Sequence, residues 1–152
     1  MCQGYTAKRE EGDKMRSITL MLLTMGTLLF AASSKMDEKT GLVWQDNEDV
    51  ARVEKSYTDA IAYCRSLKVD GFEDWRLPSL AEAYTIVDMS RDRPALLDGF
   101  EMRVSERFWT ATPFAGDPKA EAWRILMSYG EAEPYTKRRE HHIRCVRGGI
   151  KR

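Results

Sequence analysis

The stretch Gly71-Phe72-Glu73-Asp74-Trp75-Arg76-Leu77-Pro78-Ser79-Leu80-Ala81-Glu82-Ala83-Tyr84-Thr85-Ile86-Val87 joins a loop, a corner and a helix. Gly71 stops the element before it, and Phe72 to Pro78 reads as a loop holding two large aromatic residues. Ser79 is an N-cap, with Glu82 in the capping-box position, so a helix follows in which Leu80, Ala83, Tyr84 and Val87 share a face. In the corner itself, Trp75 and Leu77 are available to a core. The Arg76 guanidinium offers several directed donors for loop carbonyls or a carboxylate. Trp75-Arg76-Leu77-Pro78 therefore reads as a corner that defines the fold.

Upstream, Ser56 precedes Tyr57-Thr58-Asp59-Ala60-Ile61-Ala62-Tyr63-Cys64-Arg65-Ser66-Leu67. Tyr57, Ala60, Ile61, Cys64 and Leu67 recur at helical spacing, and Asp59 completes a weak capping box, so this is an amphipathic helix that turns Cys64 inward. Before it, Thr40-Gly41-Leu42-Val43-Trp44-Gln45 reads as a strand, closed by the polar turn Asp46 to Asp49. Downstream, 91–107 is an irregular loop anchored by Leu96, Leu97 and Phe100. Three β-like runs follow, Phe108 to Thr112, Ala122 to Met127 and His142 to Arg147. In the last, Ile143 and Cys145 point to one face, while His142 and Arg144 lie on the other. Helices and strands are segregated rather than alternating, which predicts an α+β fold of two helices packed on a small antiparallel sheet with long loops. Trp44, Trp75, Trp109 and Trp123 are expected in the core; one left exposed would stack on a sugar ring.

The 152 residues are 43% hydrophobic and 32% charged, enough apolar mass for one folded domain. Lys+Arg 24 balance Asp+Glu 24, which excludes a globally basic nucleic-acid binder and an acidic tail protein, so any charged partner is met locally. Ile18 to Phe30 is apolar or neutral throughout, follows Lys14 and Arg16, and ends in Ala31-Ala32-Ser33-Ser34: the parts of a secretory signal peptide. The run is short for a bilayer span, which takes about 20 residues. The competing readings are an uncleaved membrane anchor and a buried core helix, and neither explains the small-residue end. No cysteine closes the run, as a lipoprotein signal requires. The expected division is a leader over 1–33, with 1–14 from an upstream start and 15–33 as the signal peptide, and a domain over 34–152 without a membrane span.

Export removes Cys2 and leaves Cys64 and Cys145. In an oxidising compartment an even pair reads as one disulfide, the alternative being two separate buried thiols. Closing a loop of about eighty residues, such a bond would stabilise the fold by roughly 4 kcal/mol in the chain-entropy model.

Taken together, Thr40-Gly41-Leu42-Val43-Trp44, Tyr63-Cys64 with Leu67, Gly71-Phe72, Asp74-Trp75-Arg76-Leu77-Pro78-Ser79, Phe108-Trp109-Thr110 and Ile143-Arg144-Cys145-Val146-Arg147 resemble the bacterial Lcl C-terminal domain family. The resemblance runs from about Lys39 to Arg147. It implies a C-type-lectin-like fold in an exported or surface protein, with Cys64 joined to Cys145. It also implies a binding role, because the family's namesake is an adhesin module for sulfated polysaccharide. Two departures stand out. Glu82-Ala83 replaces the Glu-Leu pair usual in the family's helix, and no collagen-like repeats accompany the domain, so multivalent adhesion would have to come from oligomerisation.

The densest cationic cluster is Lys137-Arg138-Arg139 with His141, followed by His142, Arg144, Arg147, Lys151 and Arg152, against Glu131, Glu133 and Glu140. Guanidinium groups suit bidentate contact with sulfate or phosphate, and their attraction weakens as salt rises. Lys137, Arg138, Arg139 and His141 are accordingly the expected contacts for a polyanionic or sulfated polysaccharide. The competing reading is a solvated face with Arg144 paired internally. His141 and His142 do not form a metal site, since neighbours on a strand point to opposite faces. Glu133-Pro134-Tyr135 only half matches the triplet of calcium-dependent lectins.

No acid/base pair, Ser/His/Asp set or Gly-rich phosphate loop can be assembled from spacing, so a non-enzymatic domain without cofactor is expected. Trp75-Arg76-Leu77-Pro78 before a helix also resembles a segment of formylglycine-generating, sulfatase-modifying enzymes, which share the lectin-like fold. That chemistry needs a redox-active cysteine site near the C-terminal end, where only Cys145 lies. The two readings carried forward are an exported glycan-binding module and a periplasmic structural or protein-interaction domain without a glycan ligand.

Overall fold

Eleven elements follow in order among the described residues, 32–149, of this computed structural model. They are β1 (Ser34–Met36), β2 (Val43–Gln45), α1 (Asp49–Arg52), β3 (Glu54–Lys55), α2 (Tyr57–Ser66), α3 (Leu80–Thr85), β4 (Arg107–Pro113), β5 (Glu121–Leu126), β6 (Glu131–Thr136), β7 (His141–His142) and β8 (Val146–Arg147). The apolar run of the expected leader lies outside the described residues, as do Lys151 and Arg152. No helix among the described residues is long and apolar enough to cross a membrane.

The class is α+β, but with two sheets where the sequence predicts one. A three-stranded sheet has the order β1-β2-β8 and a five-stranded sheet the order β3-β7-β4-β5-β6. All pairings are antiparallel except β4 with β7, which meet in parallel at Phe108 and His142. The expected single strand from His142 to Arg147 is divided: β7 lies in the larger sheet, β8 in the smaller, and Ile143 to Cys145 cross between them. The break carries Arg144 into the interior, whereas strict alternation would leave it on a solvent face. β6 holds Pro134, which cannot donate a ladder hydrogen bond, and its place at the sheet edge makes that harmless.

Both main helices start where the sequence predicts. Ser56 Oγ accepts the Asp59 backbone N–H and turns Tyr57, Ala60 and Cys64 into the core. Ser79 and Glu82 form a full capping box on α3, and a cap of this kind is worth about 1 kcal/mol. The expected apolar face of α3 is buried only in part: Ala83 is buried and Leu80 and Val87 are half-buried. Glu82 and Ala83 face inward, while Tyr84 is exposed. Arg76 holds the Glu82 carboxylate at the corner, which keeps that side of the helix turned inward.

The larger sheet separates two cores. Phe108 and Ile125 on one side pack with Leu42, Trp44, Val50, Ile86, Leu96, Phe100 and Val146. Trp109 and Ala122 on the other pack with α2, Trp75, Leu77, Ile143 and the cysteines. Each large side chain fully buried in this way contributes roughly 1.5–3 kcal/mol. Cys64 and Cys145 are disulfide-bonded across 81 residues, and both are inaccessible to solvent. Trp44, Trp75 and Trp109 are core residues as expected; Trp123 is only half-buried and lies edge-on to Phe114, with ring centroids 5.5 Å apart.

Candidate cationic site at two adjoining turns

Toward the C-terminus, Arg124, Arg144 and Arg147 are tied to carboxylates, whereas Arg138 and Arg139 are in no ion pair among the described residues. At the corner, Arg76 grips Glu82 through two parallel bonds of 2.6 and 2.7 Å and donates a third to the Gly148 carbonyl. Burial pushes the Glu82 carboxyl up, but Arg76 and the Ser79 backbone N–H outweigh it and hold the carboxyl below its ordinary range. Arg76 and Val146 exchange backbone bonds, which ties the corner to β8. Trp75 Nε1 donates to the Phe72 carbonyl.

Arg144 is 3% exposed. Its guanidinium donates to Asp46 Oδ1 at 3.0 Å, to the Gln45 carbonyl and to the Met102 carbonyl. Asp46 in turn accepts the backbone N–H groups of Glu101 and Met102. Burial lowers the Arg144 pKa to about 10 despite the adjacent Asp46, so the guanidinium remains charged at neutral pH. Arg147 is also engaged: Nε donates to Asp74 at 2.6 Å and the guanidinium lies 3.7 Å from the Phe72 ring centroid. Arg144 and Arg147 are thus structural cations.

His141 does not join the turn residues with which the sequence groups it. Its ring lies on the sheet face, 4.8 Å from the Trp109 centroid and 5.4 Å from that of Tyr135. Arg124 Nη1 donates to its Nε2 at 2.7 Å, while two more Arg124 bonds go to Glu133. Burial, then the charges of Arg124 and Arg107, lower the His141 pKa to about 4. It is neutral at pH 7 and adds no positive charge. His141 lines a polar recess of about 370 Å³ with Glu54, Glu106, Arg107, Arg124 and His142.

The remaining expected contacts are at the β6–β7 turn. Arg138 and Arg139 are exposed, and neither is in an ion pair among the described residues. Lys137 is held in place: its N–H donates to the Ala120 carbonyl at 2.9 Å, its Nζ to the Pro118 carbonyl at 2.7 Å, and the ammonium lies 4.6 Å from the Tyr57 ring centroid. These bonds dock the turn against the β4–β5 hairpin. Between the two tips runs a groove of about 320 Å³ lined by Lys119, Ala120, Thr136, Lys137 and Arg138.

Lys119 is absent from the expected contact set because it lies far from Lys137 in sequence. Gly116-Asp117-Pro118 between two β-like runs is a turn signal that places it at a hairpin tip. A larger recess of about 490 Å³ between Lys35 and Met102 is walled by Asp46, Glu48 and Glu101, a charge balance that disfavours anions.

The family model described as the Lcl C-terminal domain matches residues 35–147. The chain belongs to the Lcl C-terminal domain family. The matched span of this Lcl C-terminal domain runs from β1 to the last residue of β8, so it takes in both sheets, the Arg76–Glu82 corner, the disulfide, the β4–β5 hairpin tip and the β6–β7 turn. None of the curated proteins compared with it matches.

Proposed function

We propose that this Lcl C-terminal domain is an exported, non-enzymatic, C-type-lectin-like module that binds an anionic or sulfated glycan at the β6–β7 turn. The observation that carries the reading is the contrast in pairing: Arg138 and Arg139 are exposed and outside any ion pair among the described residues, while Arg76, Arg124, Arg144 and Arg147 are all held by carboxylates. The lectin-like assignment is supported by first and last strands that share one small sheet, by a second sheet carrying the loops, and by a disulfide from α2 to the C-terminal segment.

Export to the periplasm or cell surface is supported by the disulfide, since such bonds persist in oxidising compartments. The non-enzymatic reading is supported by the same bond. The enzymatic alternative requires reduced cysteines and an exposed Cys145, and here both sulfurs are buried and joined.

The second reading, a protein-interaction domain without a glycan ligand, draws on Met89 and Tyr129, exposed by 67% and 45%. A Cβ on Gly130 would lie 3.0 Å from Met89 Sδ, which places Met89 beside the β5–β6 turn that carries Tyr129.

Binding of the oxidised protein to immobilised heparin across a salt series separates the readings. The glycan reading predicts binding that weakens with salt and is lost when Lys137, Arg138 and Arg139 are changed together to Ala. Absence of binding at low salt removes it and leaves the protein-interaction reading.

A further inference from the structure

Resting on that glycan reading, we infer that Lys119 on the β4–β5 hairpin contacts the same anionic group as Arg138, and that Lys137 is a positioning residue holding the two tips together. Lys119, on the β4–β5 hairpin, and Arg138, on the β6–β7 connection, line one groove, and neither is in an ion pair among the described residues. Two cations brought together in this way repel each other until an anion sits between them. Asp117, on the same tip as Lys119, accepts the Ala120 backbone N–H at 3.0 Å and stabilises the turn. Glu140 is exposed on the other tip.

Lys137 has the geometry of a clasp. Its main chain holds Ala120, its ammonium holds Pro118, and Tyr57 of α2 lies beneath. Removing its side chain deletes the Pro118 bond and the Tyr57 contact and loosens the tip that carries Lys119, while the backbone bond to Ala120 remains. At about 320 Å³ the groove is at the small end of ligand sites. It suits one sugar-borne sulfate or carboxylate at a time, with Arg139 outside it to meet the next group along the chain. The ligand class is an acidic polysaccharide read by two cations from separate turns.

The test compares the wild-type oxidised protein with Lys119→Ala, Arg138→Ala, Lys137→Ala and Lys137→Arg, measuring heparin affinity across a salt series together with the thermal midpoint. Lys119→Ala and Arg138→Ala should each weaken binding about fivefold near 0.1 M salt. Each should also reduce the log–log salt slope by just under one, with the midpoint unchanged. Lys137→Ala should lower affinity and midpoint together, and Lys137→Arg should restore both. Unchanged affinity and slope for Lys119→Ala, while Arg138→Ala weakens binding, would overturn the role given to Lys119. Lost affinity with an unchanged midpoint for Lys137→Ala would make Lys137 a contact and overturn its positioning role. A wild-type protein that ignores heparin would overturn the glycan reading and, with it, this inference.

Discussion

Two parts of one basic segment meet opposite fates. Arg138 and Arg139, on the β6–β7 turn, are exposed and outside any ion pair among the described residues. Arg144 is buried against Asp46, which lies 98 residues away in sequence. Local composition does not distinguish them. What separates them is whether a distant part of the chain supplies a carboxylate and a ring of carbonyls. A cation so enclosed is part of the fold, and one left outside is available to a partner. The same division explains Arg76, whose partner Glu82 is also the capping residue of α3.

The comparison is most easily broken at Arg144. Arg144→Ala leaves Asp46 buried without its counter-charge, and urea unfolding should show a loss of about 3–5 kcal/mol, enough to unfold much of a marginal domain. A loss below about 1 kcal/mol would mean that Arg144 is no more structural than the turn cations. Next in size is the disulfide. Cys64→Ala with Cys145→Ala should cost about 2–4 kcal/mol in the same measurement, because the cross-link closes a long loop in the unfolded chain.

His141 sharpens the contrast through pH. Its folded pKa is about 4, against about 6.5 for the unfolded group, so between those values the unfolded chain binds more protons and stability falls as the solution is acidified. Discounted for solvent screening, the effect is about 1–2 kcal/mol between pH 6.5 and 4. His141→Gln should flatten that part of the stability profile relative to wild type, as measured by thermal unfolding at successive pH values. Parallel profiles would show that the neutral imidazole is not stabilised by the fold.

Much of this was legible in the sequence where the signal is local. Ser56 and Ser79 cap helices because a hydroxyl three residues from an acid satisfies the first turn by itself. Trp75, Leu77 and Pro78 make a corner on short-range grounds, and the cysteine pair followed from an expected oxidising compartment. What stayed hidden depends on partners remote in sequence. His142 to Arg147 reads as one strand by composition, but Arg144 can reach Asp46 only if the strand breaks and the chain crosses between sheets. β6 is masked by Pro134, which is tolerated because the strand is at an edge. Tyr84 is exposed because Glu82 is pulled inward instead. In the candidate site, Arg138 and Arg139 are visible as a basic run, whereas Lys119 joins them only when the β6–β7 turn docks on the β4–β5 hairpin.

The most direct test of the division between structural and available cations is the double variant Arg138→Ala/Arg139→Ala, with thermal midpoint and heparin affinity measured on one sample. A midpoint within about 2 °C of wild type, as for exposed substitutions worth under about 0.5 kcal/mol, together with affinity reduced more than tenfold, is the predicted result. Unchanged affinity for heparin in that variant would contradict the account.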